Sequence, residues 1–295
     1  MKLRTITGSV YVAVLVAFYL LKIYVSDLFF DALIYAMAMI GTFEITRAYG
    51  EKLTKAEKIC VFAFAGICVP LVSLGKIFGF ALQAAAISLG LFVLATLSLL
   101  VLKQEETTIE NAGVTFLSGI YPNFFLAVLV FTNHIEPSPV MAEVAFNSDL
   151  AVLLIFVISA VSDTFAYLFG KFLRGKFPKK MAESISPNKT VIGGIGGIVG
   201  GVVGAVVVYF IYNATVGSFS QMGVWLLVYI LIGGLASVAN EFGDLVESSI
   251  KRKVGIKDMG KLMPGHGGIL DRIDGTLFTA SAVYLVFMLV KIFTL

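Results

Sequence analysis

Near its end the chain reads GHGGILDRIDG over residues 265–275. Asp271 and Asp274 are three residues apart, so in a helix both carboxylates lie on one face of its first turn. Such a helix start also offers unpaired backbone N–H groups and a positive dipole end, which favour phosphate. Gly265, Gly267 and Gly268 let backbone approach a ligand without intervening side chains. Lys251, Arg252, Lys253, Lys257 and Lys261 supply positive charge upstream. Together these residue types suit a divalent cation bound beside a phosphate.

Two other segments carry related chemistry. In ASVANEFGDLVESSIKR, residues 236–252, Asn240, Glu241, Asp244, Glu247 and Ser248 recur at helical spacings of three and four. A solvated helix end accounts for Glu247 and Ser248. Asp244 fits that account less well, because Gly243 beside it leaves room for close approach, and a carboxylate there is a natural ligand for a hard cation. In GKFLRGKFPKKMAESISPNKTVIGGIGG, residues 170–197, Ser186, Lys189 and Thr190 precede a helix and suit phosphate. This is no Walker A loop, since the glycines follow the Lys-Thr pair instead of preceding it. The GxxxG series Gly193-Gly197-Gly201 and Gly196-Gly200-Gly204 read as tight helix packing.

The elements that position these residues are membrane spans. The chain has 295 residues, of which 58% are hydrophobic and only 14% charged; its mean hydropathy is +0.95. Soluble domains carry about a quarter charged residues. Runs long enough to cross a ~30 Å hydrocarbon core fall near 6–25, 28–47, 58–76, 80–102, 111–132, 150–171, 191–212, 223–247 and 275–294. The expected fold is all-α and polytopic, with about nine transmembrane helices. A β-barrel would show short alternating segments instead. The eighth span is long and turns polar, so it projects beyond the bilayer. We divide the chain into 1–132 (spans one to five) and 133–295 (spans six to nine with the polar loops). The N-terminal stretch has no small-x-small cleavage site and reads as a retained first span. Cys60 and Cys68 share one apolar run and read as buried structural residues.

Charge placement gives orientation. Of the 22 lysines and arginines, only Lys22, Lys76 and Lys291 lie outside the N-terminus and the loops after spans two, four, six and eight. That bias places the N-terminus in the cytoplasm. The 133–149 loop, with no Lys or Arg, fits the far side; His134 within it is given no role. Spans two, six and eight then run toward the cytoplasm and carry Glu44, Asp163 and the acids of 241–247 in their cytoplasmic halves. Asp163, in AVSDTFAY, lies roughly 10 Å below the surface, where an ionisable group faces a cavity or a partner. Glu44, in TFEITRAYG, could equally be an interfacial acid pairing with Arg47.

The segments SSIKR (248–252), Lys257-Asp258 and PGHGGILDRID (264–274) closely resemble the signature of phosphatidate cytidylyltransferases, also called CDP-diacylglycerol synthases. SDTFAY and SPNKT also look like this family's segments. The resemblance is specific over roughly 155–290 and generic before that, resting on span number and a Glu at the end of span two. Met263 departs from the pattern, where Leu, Ile or Phe is expected. The resemblance implies transfer of a cytidylyl group from CTP to phosphatidic acid, giving CDP-diacylglycerol and pyrophosphate. It implies Mg²⁺ on Asp244, Asp271 and Asp274, with room for a second cation. Lys257 joins these as catalytic; Lys189, Lys251, Arg252 and Arg272 bind phosphates, and Ser186 and Thr190 assist. His266 orients a phosphate or an aspartate, or is structural, and Asp163 completes a polar funnel for the lipid. The family also implies a homodimer among membrane lipids, for which the glycine-rich seventh span is one place to seek the interface. A bacterial inner membrane with the site toward the cytoplasm is expected, and no nucleic-acid partner. Two rivals are a CTP-dependent polyprenol or phytol kinase, which would release CDP, and a secondary transporter using Asp163, Asp244 and Asp274 as ion sites.

Overall fold

The computed structural model describes residues 2–136, 147–215 and 222–293. Nine helices among them are long and apolar enough to cross a membrane, making this an all-α integral membrane protein. They are α1 (Lys2–Tyr24), α2 (Asp27–Tyr49), α3 (Lys55–Phe78), α4 (Ala81–Leu102), α5 (Ile109–Asn133), α6 (Ser148–Leu173), α7 (Val191–Thr215), α8 (Met222–Val254) and α9 (Leu270–Phe293). At 1.5 Å per residue even the 22-residue α4 spans about 33 Å. Residues 137–146 of the loop free of Lys and Arg lie outside the described residues. Helix α8, expected to project, runs seven residues past Glu247. Helix α9 begins at Leu270, five residues before the apolar run that announces it, so Asp271 and Asp274 both belong to it.

Local signals explain most of the helix starts. Thr54 and Glu57 form a capping box at α3, and Gly79 ends that helix in the left-handed region at φ +82°. Thr108 and Asn147 cap α5 and α6. Between α6 and α7 lie two short antiparallel strands that the sequence reading did not anticipate, β1 (Lys180–Ala182) and β2 (Ser186–Thr190). Thr190 at the end of β2 accepts the N–H of Gly193 at 3.1 Å and so caps α7.

The chain forms two compact units. The first comprises residues 1–134 together with 253–272; the second comprises 135–252 together with 273–295. The polar segment 253–272 packs with the N-terminal helices. Within the first unit, Val61, Phe64, Cys68, Phe92 and Ala127 form an apolar cluster, with the Phe64 and Phe92 rings stacked at 4.5 Å. Both cysteines are free. At the opposite end of this unit from the polar segment, buried Asp31 gathers Ser73, Asn133 and His134. The Asn133 amide donates to its Oδ1 at 2.8 Å, and His134 Nε2 lies 2.7 Å from Oδ2. His134 therefore knits α5 to α2.

In the second unit the glycine series lets α7 come within backbone contact of its neighbours, as the packing interpretation requires. A Cβ on Gly201 would fall 2.5 Å from Ser237 Cβ and 2.8 Å from the Gly233 carbonyl of α8. The adjacent residue, Gly200, faces Phe165 of α6. The glycine faces of α7 are thus filled within one chain.

Candidate active site

The second unit holds a dense acidic cluster, mainly on one face of α8. Lys189, delivered by β2, reaches Glu241 Oε2 at 2.9 Å and Asp244 Oδ2 at 2.7 Å. One turn further, buried Lys251 pairs with Glu247. Asp274 of α9 hydrogen-bonds with Glu247 and lies within electrostatic range of Asp244. The approach of α9 depends on Gly243, where a Cβ would fall 2.6 Å from the Asp274 carbonyl. That is the close approach the sequence left room for. Asp163 of α6 is held by Asn240 Nδ2 at 2.7 Å, while Asn240 Oδ1 accepts from Ser159 at 2.7 Å and Thr279 at 3.2 Å. Asn240 is fully buried, so one amide fixes the mutual position of α6, α8 and α9.

Lys189 shows the balance of forces. Burial alone would push its ammonium down from the ordinary lysine range, but Asp244 and Glu241 outweigh it and hold the group above that range. It remains a cation at every physiological pH. Five carboxyl groups (Asp163, Glu241, Asp244, Glu247 and Asp274) are therefore gathered around two ammonium groups.

In the first unit, residues 255–269 form a loop whose backbone is organised by two carboxylates. Asp271 Oδ2 accepts N–H bonds from Met259 and Gly268, both at 2.8 Å, and from Gly260 at 3.4 Å. Glu44, from the far side of the sequence, accepts the N–H groups of Ile269 at 3.0 Å and Leu270 at 2.9 Å. Gly267 is required twice over: its φ is +87°, and a Cβ there would sit 2.6 Å from Asp271 Oδ2. His266 Nδ1 meets Thr7 Oγ1 of α1 at 2.7 Å. Lys257 and Arg272 are exposed, as is Arg252 of the second unit, whose Nε donates to the Ile185 carbonyl at 3.3 Å.

Three sequence expectations change here. The amides at the start of α9, expected to await a phosphate, are taken by Glu44 and Asp271. Glu44 is accordingly a helix cap acting across 225 residues, and its carboxylate turns to α9, where the alternative reading had Arg47. Glu247 and Ser248 are buried, at 0% and 8% exposure, instead of forming a solvated helix end; Asp274 of α9 meets Glu247, and Ser248 donates to Asp244 at 3.2 Å. Glu241, Glu247 and Asn240 belong to the cluster although the sequence reading left them out of the site. Their i, i+3 and i+4 spacing from Asp244 was the available signal.

A sequence profile of the cytidylyltransferase family matches residues 2–290. The chain belongs to the cytidylyltransferase family. Among curated relatives, the chain is 41% identical over 127 residues to the phosphatidate cytidylyltransferase of Staphylococcus haemolyticus. It is 42% identical over the same length to that of Staphylococcus epidermidis, and 44% to that of Staphylococcus aureus. Each match covers 43% of this chain and 45% of the relative, so this cytidylyltransferase-family chain aligns with less than half of each relative.

Among the described residues, no three carboxylates, imidazoles or thiols are already drawn together as a metal cluster. The ammonium of Lys189 lies against two of the oxygens such a cation would use. The donor set itself suits a hard cation: it is all oxygen, carries excess negative charge, and includes a hydrogen-bonded carboxyl pair, Asp274 and Glu247. Two carboxylates that close need a proton or a cation between them. By this test the residues fit Mg²⁺.

Proposed function

We propose that the protein transfers the cytidylyl group of CTP to phosphatidic acid, forming CDP-diacylglycerol and pyrophosphate. The observation that carries this reading is the cluster of five carboxyl groups against Lys189 and Lys251, on a chain whose family transfers cytidylyl groups. In the reaction a phosphate oxygen of the lipid bonds to the α-phosphorus of CTP, and the bond from that phosphorus to the β-phosphate bridging oxygen breaks. The attacking oxygen is already ionised at neutral pH, so no protein nucleophile is needed. What the protein must supply is alignment of two anions and relief of their repulsion.

Asp244 and Asp274 are the principal Mg²⁺ ligands in this proposal, with Glu247 beside them, while Asp271 serves the chemistry by holding the signature loop through its backbone amides; a second cation is compatible with the surplus charge. Bound there, the metal would offset the charge of the nucleotide phosphates. Lys189 exchanges its carboxylate partners for a phosphate. Lys251, Arg252, Lys257 and Arg272 are the remaining phosphate ligands, and Lys257 steadies the departing pyrophosphate. The Thr190 hydroxyl fixes the start of α7, which keeps Lys189 in register, and Ser186 anchors the other end of β2. Asp163, exposed on α6, lines the polar route by which the lipid headgroup enters. His266 acts through Thr7 to hold the signature loop to α1.

The charge bias of the loops supports a site on the cytoplasmic side with the N-terminus also in the cytoplasm, and we propose a bacterial inner membrane as its location. We assign a homodimer built on faces other than the glycines of α7. Purified protein incubated with labelled CTP, phosphatidic acid and Mg²⁺ tests the reading: pyrophosphate release should require all three. Release of CDP would instead indicate a lipid kinase, and substrate flux into vesicles without CTP turnover a transporter.

A further inference from the structure

A cavity of about 340 Å³ lies wholly within the first unit, between α1 and α2 and beneath the signature loop. Its walls include Val10 and Val14 of α1, Leu33 and Met37 of α2, and its roof includes Leu262 and Met263. Apart from the hydroxyls of Thr7 and Tyr11, the side chains that line it are apolar. The Thr7 hydroxyl is engaged by His266 and by the Pro264 carbonyl at the mouth. Ordered water needs two to four polar partners, and such partners are lacking along most of these walls. The volume is too small for a helix, and inside a bilayer the available filler is hydrocarbon.

Depth and charge agree with one occupant. From Thr7 to Leu15 the helix rises about 12 Å, close to the thickness of one leaflet, half of the ~30 Å core. Exposed Lys261 adjoins Leu262 of the roof, and exposed Lys257 lies in the same loop. Cations at the mouth with an apolar shaft below complement an anionic phospholipid. Helix α1 is also the most lightly covered of the nine, with 6% of its apolar stretch buried, so it can move aside to admit a chain.

We propose that this cavity seats one acyl chain of the lipid substrate, and that Val14 and Leu33 at its floor set the chain length accepted. The inference rests on phosphatidic acid being the substrate, but its test does not need turnover. The full-length protein in lipid nanodiscs is exposed to phosphatidic acid bearing a photoactivatable diazirine near the end of one acyl chain, and cross-links are mapped by mass spectrometry. Labels should concentrate at Val14, Leu33 and Met37, and Val14→Trp or Leu33→Trp should reduce them several-fold. In turnover assays the same variants should shift the preference between long and short acyl chains roughly tenfold toward short ones, the loss of about two buried methylenes. Val14→Ala should shift it the other way. Labels spread evenly over the lipid-facing side of α4, or unmoved by the tryptophans, would overturn the proposal. Labelling at the floor without any formation of CDP-diacylglycerol would support the acyl-chain seat and refute the proposed reaction.

Discussion

Replacing Glu44 with Gln tests the claim that a carboxylate of α2 sets the start of α9. Glu44 is 3% exposed, and its two oxygens accept the N–H groups of Ile269 and Leu270. Gln keeps one carbonyl oxygen and turns an NH₂ toward the second N–H, so one charge-assisted bond is lost, worth roughly 1.5–3 kcal/mol. Loss of the negative charge at a helix N-terminus removes about 0.3–1 kcal/mol more. A combined loss of about 2–4 kcal/mol corresponds to roughly 20- to 700-fold easier local opening. Hydrogen–deuterium exchange in detergent, read on the peptide containing Ile269 and Leu270, should show that acceleration, while the peptides of α3 and α4 stay unchanged. Arg47→Met serves as the control and should leave the peptide protected. Exchange in Glu44→Gln within threefold of the parent protein would refute the capping role, and exposure of the same amides by Arg47→Met would restore the local ion pair.

Four further outcomes follow from the geometry. Asp244→Asn or Asp274→Asn should abolish pyrophosphate release while the protein keeps its size-exclusion profile in detergent; full activity in either would refute the metal assignment. Lys189→Met should lower thermal stability by about 3 kcal/mol by leaving Glu241 without its cation. Because the folded lysine titrates above its unfolded value, this advantage of the parent protein is complete below the unfolded pKa. It fades only as pH rises through the higher folded one, so melting curves at pH 6 and pH 9 should show the same gap. Gly201→Val should cost at least about 2 kcal/mol by overpacking against Ser237 and the Gly233 carbonyl, measured by loss of folded protein on membrane extraction. His134→Ala should lower melting temperature by loosening Asp31, yet leave the KM for CTP unaltered.

Much of the site was legible because helices convert sequence spacing into faces. Asp244 and its neighbours at three and four residues had to share a side of α8, and charge bias put Asp163 and Lys189 toward the same end of their elements. What escaped was every contact that local spacing does not encode. Glu44 meets its hydrogen-bond partners across 225 residues, whereas Arg47 three positions away, within electrostatic range of the same carboxylate, was the only partner that local spacing offered. Glu247 looked solvated because the helix that meets it arrives only after the signature loop. The β1–β2 hairpin escaped because its strands are three and five residues long and rich in Lys and Pro, with none of the alternation that marks a strand. The start of α9 was placed late because the helix opens on charged residues, its cap being supplied by another helix.

The order of residues in the first unit has a consequence for biogenesis. Its five leading helices leave the ribosome well before residues 253–272, which complete it. At about 5–20 residues per second, the newly inserted α2 waits on the order of 10–45 s with an acid near the membrane surface and nothing yet to cap. Translation must deliver almost the whole polypeptide before its opening segments reach their final state. Truncated chains ending before residue 253 should therefore be targets for membrane proteases, however well their hydrophobic segments insert.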